Sequence, residues 1–167
     1  QFRDANGDGQ LAPYEDWRLS PLERATDLVA RMSTAEKVGT LMHSTMPGRD
    51  GELGRAESYD LDALGLLVDD KHVTSFITRL TLAPALLAEQ NNAAQEVAAG
   101  GRLGIPLTIS TDPRNHFSYV LGAAEAGTGT TQWPELLGFA AMRDPQLVRE
   151  FGEIARREYR ALGIHMA

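Results

Sequence analysis

A run of twelve residues near the start, Asp4-Ala-Asn6-Gly-Asp8-Gly-Gln10-Leu-Ala-Pro-Tyr-Glu15, combines oxygen-bearing side chains with two glycines. Side-chain oxygens fall at positions one, three and five, a glycine at six allows a sharp turn, and position seven offers a backbone carbonyl. A glutamate at twelve adds two more oxygens, so the spacing is that of an EF-hand loop and its chemistry is that of a hard cation such as Ca2+. One loop without a second hand points to a structural clip rather than a sensor. The other reading is a solvated acidic turn, because no helix precedes Asp4 and Pro13 interrupts the usual exit helix.

A second group of polar side chains follows apolar runs. Asp112 comes directly after Ile105-Pro-Leu-Thr-Ile-Ser-Thr111, Arg114 and His116 lie just beyond it, and Arg79 follows Val73-Thr-Ser-Phe-Ile-Thr78. A carboxylate accepts up to four hydrogen bonds, which suits it to neighbouring sugar hydroxyls, while guanidinium and imidazole donate. The competing readings are a turn started by Asp112-Pro113, a structural salt bridge for Arg79, and ordinary loop polarity for Arg114 and His116. His43 and His165 lack partners at metal-ligand spacing and read as core histidines. The sequence has no G-x-S-x-G elbow, Walker loop, H-E-x-x-H or dinucleotide fingerprint. Spacing alone picks out no carboxylate pair able to work across a glycosidic bond, so no catalytic residue is assigned.

The elements that must hold these groups alternate. Ser20-Pro21-Leu22-Glu23 reads as a capping box opening a helix to about Met32, with Leu22, Ala25, Leu28, Val29 and Met32 on one apolar face. Ser33 to Glu36 repeats the box for a short helix toward Gly39, and residues 40–43 read as a first strand. Residues 46–59 read as a loop and 60–70 as a helix. A second strand over 73–78 leads to a helix over 83–99, and a third strand covers 105–110. Residues 112–143 read as a long connection of the kind that is functional or mobile. Asp144 caps a final helix ending at Gly163, with Glu153 and Arg157 paired one turn apart on its surface, and residues 164–167 start a fourth strand. Strands alternating with helices imply a parallel sheet covered on both faces, doubly wound or a (β/α)8 barrel. In the barrel case this would be roughly the first half, with unpaired strand edges and poor stability on its own.

The chain has 167 residues, 43% of them hydrophobic and 23% charged, which is enough for a packed core. A net charge of −7 with scattered basic residues argues against nucleic acid, and the longest apolar stretches are too short to span a membrane. The absence of cysteine removes disulfides and thiolate chemistry and fits either a reducing cytoplasm or an exported protein. Beginning at Gln1 and stopping within a nascent strand, the sequence reads as an interior segment or one whose leader has been removed.

Three stretches carry a resemblance: Leu103-Gly-Ile-Pro-Leu-Thr-Ile-Ser-Thr-Asp112, Gln132-Trp-Pro134 through Gly138-Phe-Ala-Ala-Met-Arg-Asp-Pro145, and the helix 147–164 ending in Tyr-Arg-Ala-Leu-Gly-Ile. Together they resemble the N-terminal barrel of family 3 glycoside hydrolases, of the β-glucosidase type, with residues 4–17 similar to the acidic start of some bacterial members. The resemblance implies residues 1–19 as an EF-hand-like segment and 20–167 as the incomplete barrel. It implies a retaining, exo-acting β-glycosidase in the complete protein, acting on a β-glucoside or oligosaccharide, with β-xylosidase and N-acetyl-β-glucosaminidase as nearby activities. By position, Asp112 matches the family's hydroxyl-binding aspartate, while His116 stands near its histidine at a different spacing. The family's nucleophile and acid/base would follow Ala167, so this segment alone is expected to be inactive and to need the rest of its parent chain to close the barrel. Export to the periplasm or outside the cell is the habit of the family. A carbohydrate- or calcium-binding module without catalysis is the competing class.

Overall fold

The computed structural model describes residues 2–50, 56–112 and 129–167. After a 3₁₀ turn at Pro13–Glu15 come α1 (Pro21–Arg31), α2 (Thr34–Gly39), β1 (His43–Thr45), α3 (Leu61–Asp69), β2 (Ser75–Ile77), α4 (Pro84–Ala99), β3 (Thr108–Ser110), α5 (Leu136–Met142) and α6 (Pro145–Leu162). The strands form one parallel sheet in the order β1-β2-β3. Met166 adds a parallel bridge to Ser110, so the fourth strand is present only as its first contact. The chain is therefore of the α/β class with a small parallel sheet. Among the described residues no helix is long and apolar enough to cross a membrane.

Each strand is shorter than the apolar run containing it, because neighbouring backbone groups are already engaged. The amides of Thr40, Leu41 and Met42 bond back to Glu36, Val38 and Gly39, which ends α2 and moves β1 from the expected 40–43 to 43–45. Before β3, the Gln95 side chain of α4 donates to the Leu107 carbonyl and accepts from the Leu107 amide, both at 2.9 Å. An amide side chain thus stands in for a neighbouring strand, and regular pairing starts at Thr108.

Helix starts follow their caps. Ser20 and Ser33 each form a full capping box, Asp60 accepts from the Ala63 amide, and Asp144 accepts from Gln146 and Leu147. Gly163 closes α6 at φ 77°, a conformation that disfavours a side chain. Within 112–143 the described part holds α5, which the sequence did not announce. Its N-cap, Glu135, makes no side-chain cap bond, and Arg143, not a glycine, takes the left-handed position at its end. On the surface of α6, Glu153 pairs with Arg156 at 2.9 Å rather than with Arg157. No residue of α1 is buried, and its expected apolar face leaves Leu22 77% and Val29 49% exposed.

The core lies between the sheet and α3, α4 and α6, built on Leu64, Phe76, Leu87, Ile109 and Ile164, all 1% exposed or less. One polar network crosses it. The Asn91 Nδ2 group donates to the Leu162 carbonyl at 2.7 Å, and Asn91 Oδ1 accepts from the Tyr59 hydroxyl at 2.8 Å. That hydroxyl also lies 2.7 Å from Thr78 Oγ1, whose proton it accepts. Outside the core, Trp133, Phe139 and Phe151 pack their rings together at centroid separations of 4.9–6.2 Å and join α5 to α6.

Candidate functional site

Side chains alternate across a strand, so the pairing register puts His43 and Thr45, Ser75 and Ile77, and Thr108 and Ser110 on one face of the sheet. Phe76 and Ile109 point the other way, into the core. The strands of a parallel sheet are ordinarily covered on both faces and rich in Val, Ile and Leu; here five of the six residues on this face are polar. A cavity of about 440 Å³ opens at the carboxyl ends of the strands, lined by His43, Thr45, Arg79, Ser110, Asp112 and Met166 among others. That volume falls within the usual range for small-ligand sites.

Two residues expected from the sequence meet there. Arg79 leaves the end of β2 and Asp112 the end of β3, and the guanidinium Nη1 lies 3.7 Å from the carboxylate Oδ2. The Asp112 side chain is 59% exposed and that of Arg79 24%, so the carboxylate stands at the cavity mouth with the cation behind it. A carboxylate accepting and a guanidinium donating at one rim can grip adjacent hydroxyls of a polyol. Arg114 and His116 lie outside the described residues.

The histidines depart from expectation. His43 is exposed to the cavity rather than packed in the core, and its ring nitrogens reach two serines: Nδ1 lies 2.7 Å from Ser75 Oγ and Nε2 3.0 Å from Ser110 Oγ. His165 is exposed too; its Nδ1 accepts from the Ile109 amide at 3.3 Å. Partial burial, with the Arg160 charge adding to it, lowers the His165 pKa. Sequence reasoning missed the serines, although the repeated polar residue at every second position of the three strand runs was a usable signal.

The acidic loop folds onto its own amides. Asp4 accepts from Gly7 and Gly9, each at 2.8 Å, Asn6 accepts from Asp8, and Asp8 accepts from Gln10. Glu15 turns inward, its oxygens accepting from Ala5 at 2.6 Å and Ala12 at 2.8 Å. Gly7 and Gly9 take φ near +70°, as the tight turn requires. Among the described residues no three His, Cys, Asp or Glu side chains gather closely enough to hold a metal ion. The donor set is nonetheless all oxygen, and the Asp4 and Asp8 carboxylate oxygens and Glu15 Oε2 each keep a lone pair beyond one hydrogen bond, whereas Glu15 Oε1 is taken by the Ala5 and Asn6 amides, so the chemistry of the set fits a hard cation.

At the opposite end of the strands a second cavity of about 270 Å³ touches an ion pair that the sequence did not announce. Arg102 Nε donates to Glu36 Oε1 at 2.9 Å, and Nη2 reaches the Arg31 carbonyl at 3.1 Å. The Arg102 hydrogen bonds hold the Glu36 carboxyl down at about 2.

Residues 33–167 match the N-terminal domain of glycosyl hydrolase family 3. The chain is 51% identical over 164 residues to a periplasmic beta-glucosidase/beta-xylosidase of Dickeya chrysanthemi, covering 98% of this chain and 25% of that protein. It is 44% identical to beta-glucosidase C of Emericella nidulans, covering 87% of this chain and 23% of that one. With a probable beta-glucosidase C of Aspergillus oryzae the identity is 40%, over 92% and 24% of the two chains. The chain thus spans about a quarter of the length of the curated relatives it matches. On the match over most of its residues and on these identities, the chain belongs to glycosyl hydrolase family 3, as part of that family's N-terminal domain.

Proposed function

We propose that this segment supplies the hydroxyl-gripping wall of a β-glycosidase that removes terminal β-linked glucose or xylose from the non-reducing end with retention. The observation that carries the reading is the Arg79–Asp112 pair on adjacent strand ends above the 440 Å³ cavity. The relatives named for beta-glucosidase and beta-xylosidase activity support the two sugars. In this reading the sheet β1-β2-β3 is the opening arc of a (β/α)8 barrel, whose active sites form at the carboxyl ends of the strands. Retaining hydrolysis needs two carboxyl groups about 5–5.5 Å apart, one attacking and one protonating the leaving oxygen. Asp112 takes neither part: it accepts hydrogen bonds from ring hydroxyls while Arg79 braces it, and the reacting pair comes from elsewhere in the parent protein. Export belongs to the same proposal and is supported by the periplasmic relative.

Residues 4–15 are proposed as a structural Ca2+ clip, with Asp4, Asn6, Asp8, the Gln10 carbonyl and Glu15 as ligands. The support is the all-oxygen donor set at EF-hand spacing.

The deciding experiment assays aryl β-glucoside and β-xyloside hydrolysis by the full-length gene product and by its Asp112→Ala variant. Activity in the first and a fall of roughly 100-fold or more in kcat/KM in the second, the scale of two or more lost charge-assisted hydrogen bonds, is the expected result. A wild type that binds oligosaccharides but hydrolyses neither substrate would replace this reading with a non-catalytic carbohydrate-binding module.

A further inference from the structure

The geometry points to His43 as a positioning residue for the sugar site: through Ser110 it fixes the end of β3, and thereby the place of Asp112 against Arg79. This rests on the sugar-site reading above.

The imidazole spans three strands. From β1 it meets Ser75 on β2, its register partner, and then reaches diagonally to Ser110 on β3, two residues nearer the carboxyl ends. A neutral ring can satisfy both hydroxyls, one nitrogen donating and the other accepting, and Ser110 can turn its own proton toward the Phe76 carbonyl at 3.5 Å. Ser110 is 4% exposed, and its carbonyl accepts from the Thr78 amide at 2.9 Å, one residue before Arg79. The next residue, Thr111, donates to the Met166 carbonyl at 3.1 Å, and Asp112 follows, its carboxylate 59% exposed. Ser110 is therefore the side chain on this face nearest Asp112 along β3, and His43 is what holds it, from two strands away on the same face. The same backbone segment reports to both site residues: Ser110 touches the strand end that carries Arg79 and leads directly to Asp112.

The two nitrogens can be separated by substitution. Gln places its amide at the side-chain level of Nε2, so it can still reach Ser110. Asn ends at the level of Nδ1 and can reach only Ser75. If His43 acts through Ser110, the Gln variant retains function and the Asn variant does not.

The test is steady-state kinetics of the full-length gene product on an aryl β-glucoside, with wild type, His43→Ala, His43→Asn, His43→Gln and Ser110→Ala. The expected result is a KM raised roughly 5- to 30-fold in the Ala and Asn variants of His43 and in Ser110→Ala, the scale of one or two lost hydrogen bonds. Across that set kcat should hold within about threefold, and His43→Gln should stay near wild type, since lost ground-state and transition-state binding alike raises KM alone. A merely structural role would reduce the fraction of folded enzyme, lowering apparent kcat at unchanged KM. That pattern, equal KM values for the Asn and Gln variants, or an unchanged KM in Ser110→Ala would each overturn the inference while leaving the glycosidase reading intact. A wild type without hydrolytic activity would overturn both.

Discussion

Asn91 sits 1% exposed on the inner side of α4, and its two amide atoms tie three segments distant in sequence. Nδ2 satisfies the last carbonyl of α6, one of the orphan groups every helix end leaves, and Oδ1 takes the buried Tyr59 proton. Removing the amide orphans the buried Leu162 carbonyl, at about 1–3 kcal/mol, takes from the Tyr59 hydroxyl one of its two partners, and leaves a cavity in place of the side chain. Asn91→Ala should therefore lower stability by about 2–4 kcal/mol, read as a reduced denaturant midpoint at an unchanged m-value. A midpoint shift equivalent to less than 1 kcal/mol would mean that water replaces the amide. Nothing in the sequence singled out this residue, since an Asn in a helical run ordinarily faces solvent. Asp112 and Arg79 were legible because each ends a β-branched apolar run, which marks a strand terminus whatever the fold around it. His43 was visible as a residue but not as a role: its partners lie 32 and 67 positions away, and only the strand register brings them together.

Helix starts were the most legible elements, because Ser20, Ser33, Asp60 and Asp144 act within three residues of themselves and need no tertiary partner. Strand limits were not, since Gln95 and the end of α2 compete for the same backbone groups from elsewhere in the chain. The short α2 shows the value of a local cap joined to a long-range contact. Glu36 closes the box by accepting from the Ser33 amide at 2.7 Å and also receives Arg102 from beyond α4. Its folded pKa, about 2, lies below the ordinary 4.5, so the folded state favours the charged form. The resulting stability is present above about pH 4.5 and is lost as pH falls through about 2. Thermal unfolding followed from pH 6 to pH 2 should show a smaller decline for Glu36→Gln than for the wild type over that window. The Gln keeps the cap geometry but has no charge to titrate, and identical pH profiles for the two proteins would exclude the pair as an acid-sensitive contact. Gln also weakens the Arg102 bond at neutral pH, so the two curves should converge on acidification rather than run parallel.

At the scale of the molecule, the acidic loop and the proposed sugar site lie toward opposite ends of the same strand. Gly104, at φ +54° just ahead of β3, has no room for a side chain, since a Cβ there would collide with the Ala5 carbonyl oxygen. The loop therefore presses its backbone against the segment that leads into β3, whereas Asp112 leaves the strand's other end. Nothing in the sequence linked the two, because close backbone approach is written only as a glycine, and this glycine follows a helix stop that already has two. The placement separates what the proposed Ca2+ clip should do from what it should not. A ligand bound only to the folded state stabilises by about 2.7 kcal/mol at a hundredfold its Kd. For the full-length gene product, Ca2+ in that excess should raise Tm by a few degrees over a chelated sample, and Asp4→Ala should abolish the rise. KM for a β-glucoside should be the same in both samples, because the clip braces β3 at the end away from the cavity. Gly104→Ala should reproduce the chelated state in part, costing about 1–3 kcal/mol by overpacking and leaving KM unchanged. A Tm indifferent to both Ca2+ and Asp4→Ala would reduce the loop to an acidic turn closed on its own amides. A rise in KM on chelation would show that strain at the start of β3 travels along the strand to Asp112, coupling the clip to the site instead of to stability alone.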